Sequence, residues 1–425
     1  MEEHVGRKKI AVVGAGVAGI VAAYVLGRRH DVTLLEKNQY LGGHTNTITI
    51  RDGNDAGLCV DTGFIVCNAR NYPNFYKFLD QLGIQRQNSD MSFSFYCDAT
   101  AFGYSGPTIR DFLRYPANLL SPSFLRMLWE QRKFNRQALQ ELAKDSAPER
   151  SLGEYLATEG FSHFFTETYI APLAAAIWSS PDQAALEIPL STFLTFFKNH
   201  GMLELNTIPQ WQVVKGGSHS YVKAFQREFK GKVLLDCAIK GIQRRERSAL
   251  IRMKSGEVQE YDAVVIATHA DEALALLEDP SEQEQALLGA WKYQSNSIVL
   301  HTDSSVLPPK RALWSAWNYR RDKEATANSA VTVSYYMNRL QSLESHSDYI
   351  VTLNRDSAID PAKIIYRTTY THPQYNARSV ITQERLRSLS GARATYFCGS
   401  YLGYGFHEDA VSSALSVTKQ FGMEL

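Results

Sequence analysis

Three glycines and an acid carry the first chemical signal in this 425-residue sequence. Gly14, Gly16 and Gly19 follow the β-branched run Ile10 to Val13 and open an apolar helical stretch at Val17 and Ala18; Glu36 closes the next apolar run, Val32 to Leu35. The first glycine permits a tight strand-to-helix turn, the second lets backbone approach a pyrophosphate, and the third lets the helix pack close on the strand. The helix N-terminus adds unpaired N–H groups and the positive end of its dipole. An acid about 20 residues on accepts hydrogen bonds from ribose hydroxyls and repels a 2′-phosphate. Ile10 to Glu36 therefore predicts a βαβ unit that binds FAD or NAD in preference to NADP.

Three further stretches point the same way. Lys37 leads to Gly42-Gly43-His44-Thr45, and a second glycine pair just past the ribose carboxylate suits a loop folded over a long cofactor, which favours FAD. Tyr261 to Ile266 reads as a buried strand ending in Ala267-Thr268. Near the C-terminus, Tyr396 to Cys398 precedes Gly399, then Tyr404, Gly405, Phe406 and His407, then a helix to about Phe421 with acids in its first turn.

The rest of the chain must position these groups. Periodicity predicts an α/β fold in which a GxGxxG Rossmann-like dinucleotide domain (1–85, 205–270 and 391–425) is interleaved with an α+β substrate domain (86–204 and 271–390). The substrate part reads as an antiparallel sheet plus a helical insertion over about 109–199, with a capping box at Ser151 and Glu154. Tyr72 to Leu82 has helical spacing and ends at Gly83. The insertion is rich in Phe, Leu, Tyr and Trp, which suits either a greasy substrate tunnel or a core between helices.

Lys and Arg number 45 against 44 Asp and Glu, a net charge of +1, so no global field draws the chain to nucleic acid or to an anionic membrane. Five scattered cysteines without a CxxC predict neither a disulfide framework nor a zinc site. The N-terminus lacks the apolar segment of a signal peptide and no apolar run reaches membrane-spanning length, which predicts a cytoplasmic protein. An apolar stripe from Tyr115, Pro116, Leu119, Leu120, Phe124, Leu125, Leu128 and Trp129, beside Arg114 and Arg126, fits either peripheral contact with the inner membrane face or packing on the helical core.

The pairing of GAGVAG…LLEKNQYLGGHT with VDTGFIV at Val60 to Val66 resembles the flavin-dependent amine oxidase, protoporphyrinogen oxidase and phytoene desaturase superfamily. The resemblance implies non-covalent FAD, with Asp61 and Gly63 near the flavin, Ala238 and Ile239 meeting the adenine through backbone, Ala267 and Thr268 in an ATG-type motif, and Gly399 at the pyrophosphate. Asp61 also reads as a plain turn residue before a buried strand. Where the family commonly has Arg after the glycine pair, this chain has His44. The final helix is expected to point its N-terminus at the flavin pyrimidine oxygen. Amine oxidases place a lysine near flavin N5; here Asn296 stands nearer that position than Lys292. Asn296, His407 and Tyr404 are the catalytic candidates.

Motifs including PQWQVVKGGSHSYV, VVIATHADEALALL and FCGSYLGYGFHEDA resemble a bacterial branch of predicted NAD/FAD-binding proteins associated with cyclopropane-fatty-acid-synthase-like methyltransferases. This implies hydride transfer at a carbon of a fatty acyl or lipid substrate: desaturation, saturation or isomerisation. Two alternatives stay open, a flavin amine oxidase and a non-catalytic flavin-binding partner of a lipid methyltransferase.

Overall fold

The computed structural model describes residues 6–106, 116–144, 150–204 and 208–425. Arg114, Tyr115 and the start of the predicted helical insertion near Ile109 lie outside them. β1 (Lys9–Val13), α1 (Val17–Leu26) and β2 (Asp31–Leu35) form the predicted βαβ unit. β1 pairs in parallel with β2 and with Ala263–Ile266; Lys232–Leu234 adds beyond β2, and Thr395–Phe397 beyond Ala263–Ile266. One five-stranded sheet is thus drawn from three distant stretches of chain.

Both faces of this sheet are covered, which explains why its central strands read as continuous apolar runs. Ile10, Val12, Leu34 and Val265 share a core with α1, whereas Ala11, Val13, Val264 and Ile266 face a second core holding Ile242 and Ile251. Those two residues belong to an antiparallel meander of Ile239–Arg244, Ala249–Met253 and Val258–Tyr261. α1 is buried at every position but Tyr24, as a helix apolar all round must be, and Val411 and Ala414 of the closing helix His407–Gln420 share its core.

Arg244 anchors the meander. Its side chain is fully buried, with Nε donating to Asp279 Oδ1 at 2.9 Å and one terminal nitrogen donating to Glu284 Oε2 at 2.8 Å. Removing one member of a buried ion cluster leaves the others charged and unpaired, so Arg244→Ala is expected to cost about 3–5 kcal/mol. Chemical denaturation of the variant should show that loss as a lower midpoint.

The second large sheet runs Ile364–Pro373, Tyr293–His301, Ile350–Leu353, Val333–Tyr336, Trp317–Arg321, Phe93–Cys97, Phe102–Gly106. Its neighbours are antiparallel except Trp317–Arg321 against Phe93–Cys97, which run parallel. These two strands come from opposite halves of the chain, so no hairpin sets their relative direction. The segment Met337–Leu340, which reads as a continuation of its strand, turns into helix.

Among the described residues, six α-helices between Pro122 and Asn199, with a π-helical segment at Thr166–Ile170, make the insertion. The expected capping box forms: Ser151 Oγ accepts from Glu154 N at 3.2 Å, and Glu154 Oε2 accepts from Ser151 N at 2.7 Å. Phe134, Tyr155, Phe161, Phe165, Phe193 and Phe197 are buried against one another in this layer. Of the two readings of the aromatic insertion, the core between helices is the one these residues follow.

Candidate functional site

The carboxyl ends of all five parallel strands carry residues singled out by sequence. Gly14 follows β1, Glu36 follows β2, Ala238 lies past Lys232–Leu234, Ala267-Thr268 follows Ala263–Ile266, and Gly399 lies past Thr395–Phe397. That edge is where open α/β sheets bind their ligands. Gly14 N donates to Leu35 O at 2.8 Å, and a Cβ on Gly14, at φ +95°, would sit 3.0 Å from Ala267 O. A Cβ on Gly19 would come within 1.8 Å of Gly14 O, so α1 rests directly on the turn.

Gly16 differs from both. A Cβ there would meet nothing within 4 Å, so the bare backbone at the start of α1 faces open space bordered by the second glycine pair. Gly42 N donates to Ala15 O at 2.8 Å, Gly16 and Gly42 form an isolated parallel bridge, and a Cβ on Gly43 would approach Gly16 Cα to 3.3 Å. Glu36 is buried, with Oε2 accepting from Ala15 N at 2.8 Å and Oε1 from Asn38 N and Nδ2 at 2.9 and 2.8 Å. A bare backbone cradle at a helix N-terminus beside a fixed carboxylate fits the diphosphate and ribose of a dinucleotide.

Beyond the cradle, imidazoles gather from three elements. His44 follows Gly43, His269 follows Thr268, and His372 lies on Ile364–Pro373. Ring centroids separate His44 from His372 by 5.4 Å, from His269 by 5.9 Å and from Tyr370 by 4.8 Å. His269 stacks on Tyr293 at 4.4 Å. Asn296 joins the group through a 3.0 Å hydrogen bond between its Nδ2 and His372 Nδ1, and the same nitrogen donates to Ser179 O at 3.0 Å. Burial lowers the pKa of all three histidines, that of His372 to about 4, so the cluster is uncharged at neutral pH.

His407 begins the closing helix, and its ring lies 3.5 Å from that of Phe64 in a stacked pair. Its Nε2 shares hydrogen bonds with Thr45 Oγ1 at 3.0 Å and Tyr221 OH at 3.3 Å, and burial pushes its pKa down to about 3. Asp61 is also buried. It accepts from Thr47 Oγ1 at 2.5 Å, Ser218 N at 2.8 Å and Ser218 Oγ at 2.9 Å, at the start of the helix His219–Glu228. Asp61 closes a strand, Cys59–Asp61, and ties it to that helix; the turn reading does not describe it. Gly63 follows, where a Cβ would come 2.0 Å from His44 O.

Some candidates stand apart. Tyr404 turns toward the helical insertion, its carbonyl accepting from Trp178 Nε1 at 3.2 Å and its ring 6.2 Å from Phe196; it does not join the imidazole group. Ala238 N donates to Asp236 O at 3.2 Å and Ala238 O accepts from Lys254 N at 2.7 Å, so the backbone expected to meet an adenine is already partnered. Ile239 pairs with Met253 in the meander. Lys37 reaches Glu272 at 2.6 Å on the exposed side, Gly405 packs on Tyr375, and Phe406 packs on Phe196. The sequence reading missed Ser218, Tyr221 and Tyr370; the GGS run at Gly216 to Ser218 was the one visible signal for the first.

The family described as flavin containing amine oxidoreductase matches residues 17–420. The L-amino-acid oxidase of Pseudechis australis is 58% identical over 41 residues, 9% of this chain and 8% of that protein, so the chain matches under a tenth of its length. Two solved structures superpose over almost the whole chain. The CLA-producing fatty acid isomerase from P. acnes has a TM-score of 0.70 at 14% identity, covering 97% of this chain and 98% of that one. Cyclohexylamine oxidase from Brevibacterium oxydans IH-35A has a TM-score of 0.69 at 14% identity, covering 98% and 100%. At such identity the likeness is one of fold, while the family match runs from the first residue of α1 into the closing helix. The chain belongs to the flavin-containing amine oxidoreductase family.

Proposed function

We propose that this oxidoreductase holds FAD non-covalently and acts at a carbon of an apolar, fatty acyl substrate. One observation carries the reading: the polar side chains gathered between the cradle and the large sheet, His44, His269, His372, Asn296 and Tyr370, are all neutral. An ammonium or an amino acid carboxylate would have to lose its water beside these uncharged groups, since of the acids that act on His269, Asp271 is exposed and Glu272 is paired with Lys37 at 2.6 Å. A hydrocarbon chain loses nothing of that kind. Bound flavin supplies a two-electron acceptor or donor for a C–H bond. The likeness of fold to a fatty acid isomerase supports this substrate class, and Asn296 in place of the amine oxidase lysine weighs against an amine.

In this reading Gly16, Gly42 and Gly43 admit the diphosphate and Glu36 holds the ribose. The N-terminus of His407–Gln420 favours negative charge on the flavin, and the histidines orient the substrate carbon without competing for its hydrogen. The test is anaerobic flavin bleaching by free fatty acids, acyl phospholipids and amines, with product masses and an acid precipitation that should leave the flavin in the supernatant. Bleaching, or a shifted double bond in recovered lipid, is the expected result. Bleaching by amines alone selects the amine oxidase reading; flavin inert to every donor, with every lipid recovered with its double bonds in place, selects the non-catalytic partner of a methyltransferase.

A further inference from the structure

The helix Pro122–Leu142 buries one stripe and leaves an unusual one outside. Phe124, Met127, Phe134 and Ala138 are buried, which removes Phe124 from the apolar stripe read in the sequence. Leu125, Trp129, Arg132 and Arg136 follow at helical spacing on the exposed side, with Arg126 beside them. Ten large apolar side chains stand exposed among the described residues, and four of them, Leu119, Leu120, Leu125 and Trp129, fall within this one short stretch. Leu120 is 88% exposed and Trp129 60%. Scattered exposed apolar residues need no explanation, but a cluster with a tryptophan at its centre does.

The charges around it say what covers it. Between Leu119 and Arg136 the acid is Glu130, which is buried and accepts from Ser162 N at 2.9 Å and Arg126 Nε at 3.2 Å. Lys133 turns inward to the carbonyl of Glu159 at 2.6 Å. The outer face therefore joins three leucines and a tryptophan to Arg126, Arg132 and Arg136, with no exposed acid on the same stretch. A second copy of the chain docked here about a two-fold axis would bring like charges together. Among the described residues no helix is long and apolar enough to cross a membrane.

We propose that this face docks on an anionic lipid bilayer surface, with Leu120, Leu125 and Trp129 entering the headgroup boundary and the three arginines pairing with lipid phosphates. The surface is separate from the imidazole group, and its test does not depend on the chemistry proposed above. The flavin-loaded protein is sedimented with vesicles of phosphatidylcholine, with and without phosphatidylglycerol. It should bind the anionic vesicles, release with added salt, and show a blue shift of tryptophan fluorescence that is absent in Trp129→Phe. The double variant Leu120→Ser/Trp129→Ser should lose about tenfold or more in vesicle affinity. Arg132→Glu/Arg136→Glu should lose on the order of tenfold on anionic vesicles and nothing on neutral ones. All four positions are exposed, so the variants should keep the parent circular dichroism and flavin content. The proposal fails if the parent sediments with neither vesicle, if the variants bind like the parent, or if the parent self-associates with increasing concentration and the leucine–tryptophan variant does not.

Discussion

Gly16→Val is expected to give a folded protein that purifies colourless, whereas Gly19→Val is expected not to fold. The two glycines sit three residues apart in one turn, yet their surroundings are opposite. A side chain at Gly16 grows into space that contains no protein atom within 4 Å, so the chain itself does not resist it. Whatever that space holds must give way, and overpacking there should cost the flavin on the order of a hundredfold in affinity. A side chain at Gly19 would place its first carbon 1.8 Å from Gly14 O, a distance no adjustment of a side chain relieves, because the obstacle is backbone. Far-ultraviolet circular dichroism separates the outcomes, and the visible flavin bands then report on Gly16 alone. If Gly16→Val stays yellow, the cradle is not where the diphosphate lies.

Asp61 should make the protein lose stability as pH rises from about 4 toward 7. Burial pushes its pKa up to about 7 from an ordinary 3.8, against the opposing pull of Thr47 and Ser218. The folded state then holds a proton that the unfolded chain has released, so stabilisation is complete below the unfolded pKa and disappears as pH passes the folded one. A displacement of that size corresponds to on the order of 4 kcal/mol. The buried histidines act in the opposite sense over this range, so the Asp61 contribution is read as a difference: the stability of Asp61→Asn relative to the parent should rise as pH goes from about 4 toward 7. Asp61→Ala should be worse than either at every pH, because Ser218 N, Ser218 Oγ and Thr47 Oγ1 lose a buried acceptor at a cost of about 3 kcal/mol. Urea denaturation of the three proteins across this pH range measures the effect. A parallel slope in Asp61→Asn would assign it elsewhere.

The cradle was legible in the sequence because backbone geometry dictates residue type there. Gly14 needs a positive φ, Gly19 has no room for a Cβ, and Glu36 must end a strand beside them; each constraint acts over a few residues. The imidazole group was not legible for the opposite reason. His44, His269 and His372 are separated by more than a hundred residues each, and only sheet register brings His372 opposite Gln294 and Tyr370 opposite Asn296. Trp317–Arg321 escaped notice as a strand because Asn, Arg and Arg dilute the alternation that marks one. Helical spacing placed Phe124 and Trp129 together on one apolar stripe, but spacing carries no information on which edge of a stripe meets a neighbour. The structure buries the first and exposes the second.

The order of the parallel sheet also bears on how the protein comes into being. The strand Thr395–Phe397 pairs with Ala263–Ile266, and the helix that covers α1, His407–Gln420, lies about 400 residues after it in sequence. A nascent chain leaving the ribosome therefore carries β1 and α1 with one apolar flank uncovered until about 400 further residues have been made. The cradle should close only once His407–Gln420 has emerged, and until then the exposed flank is a target for chaperones.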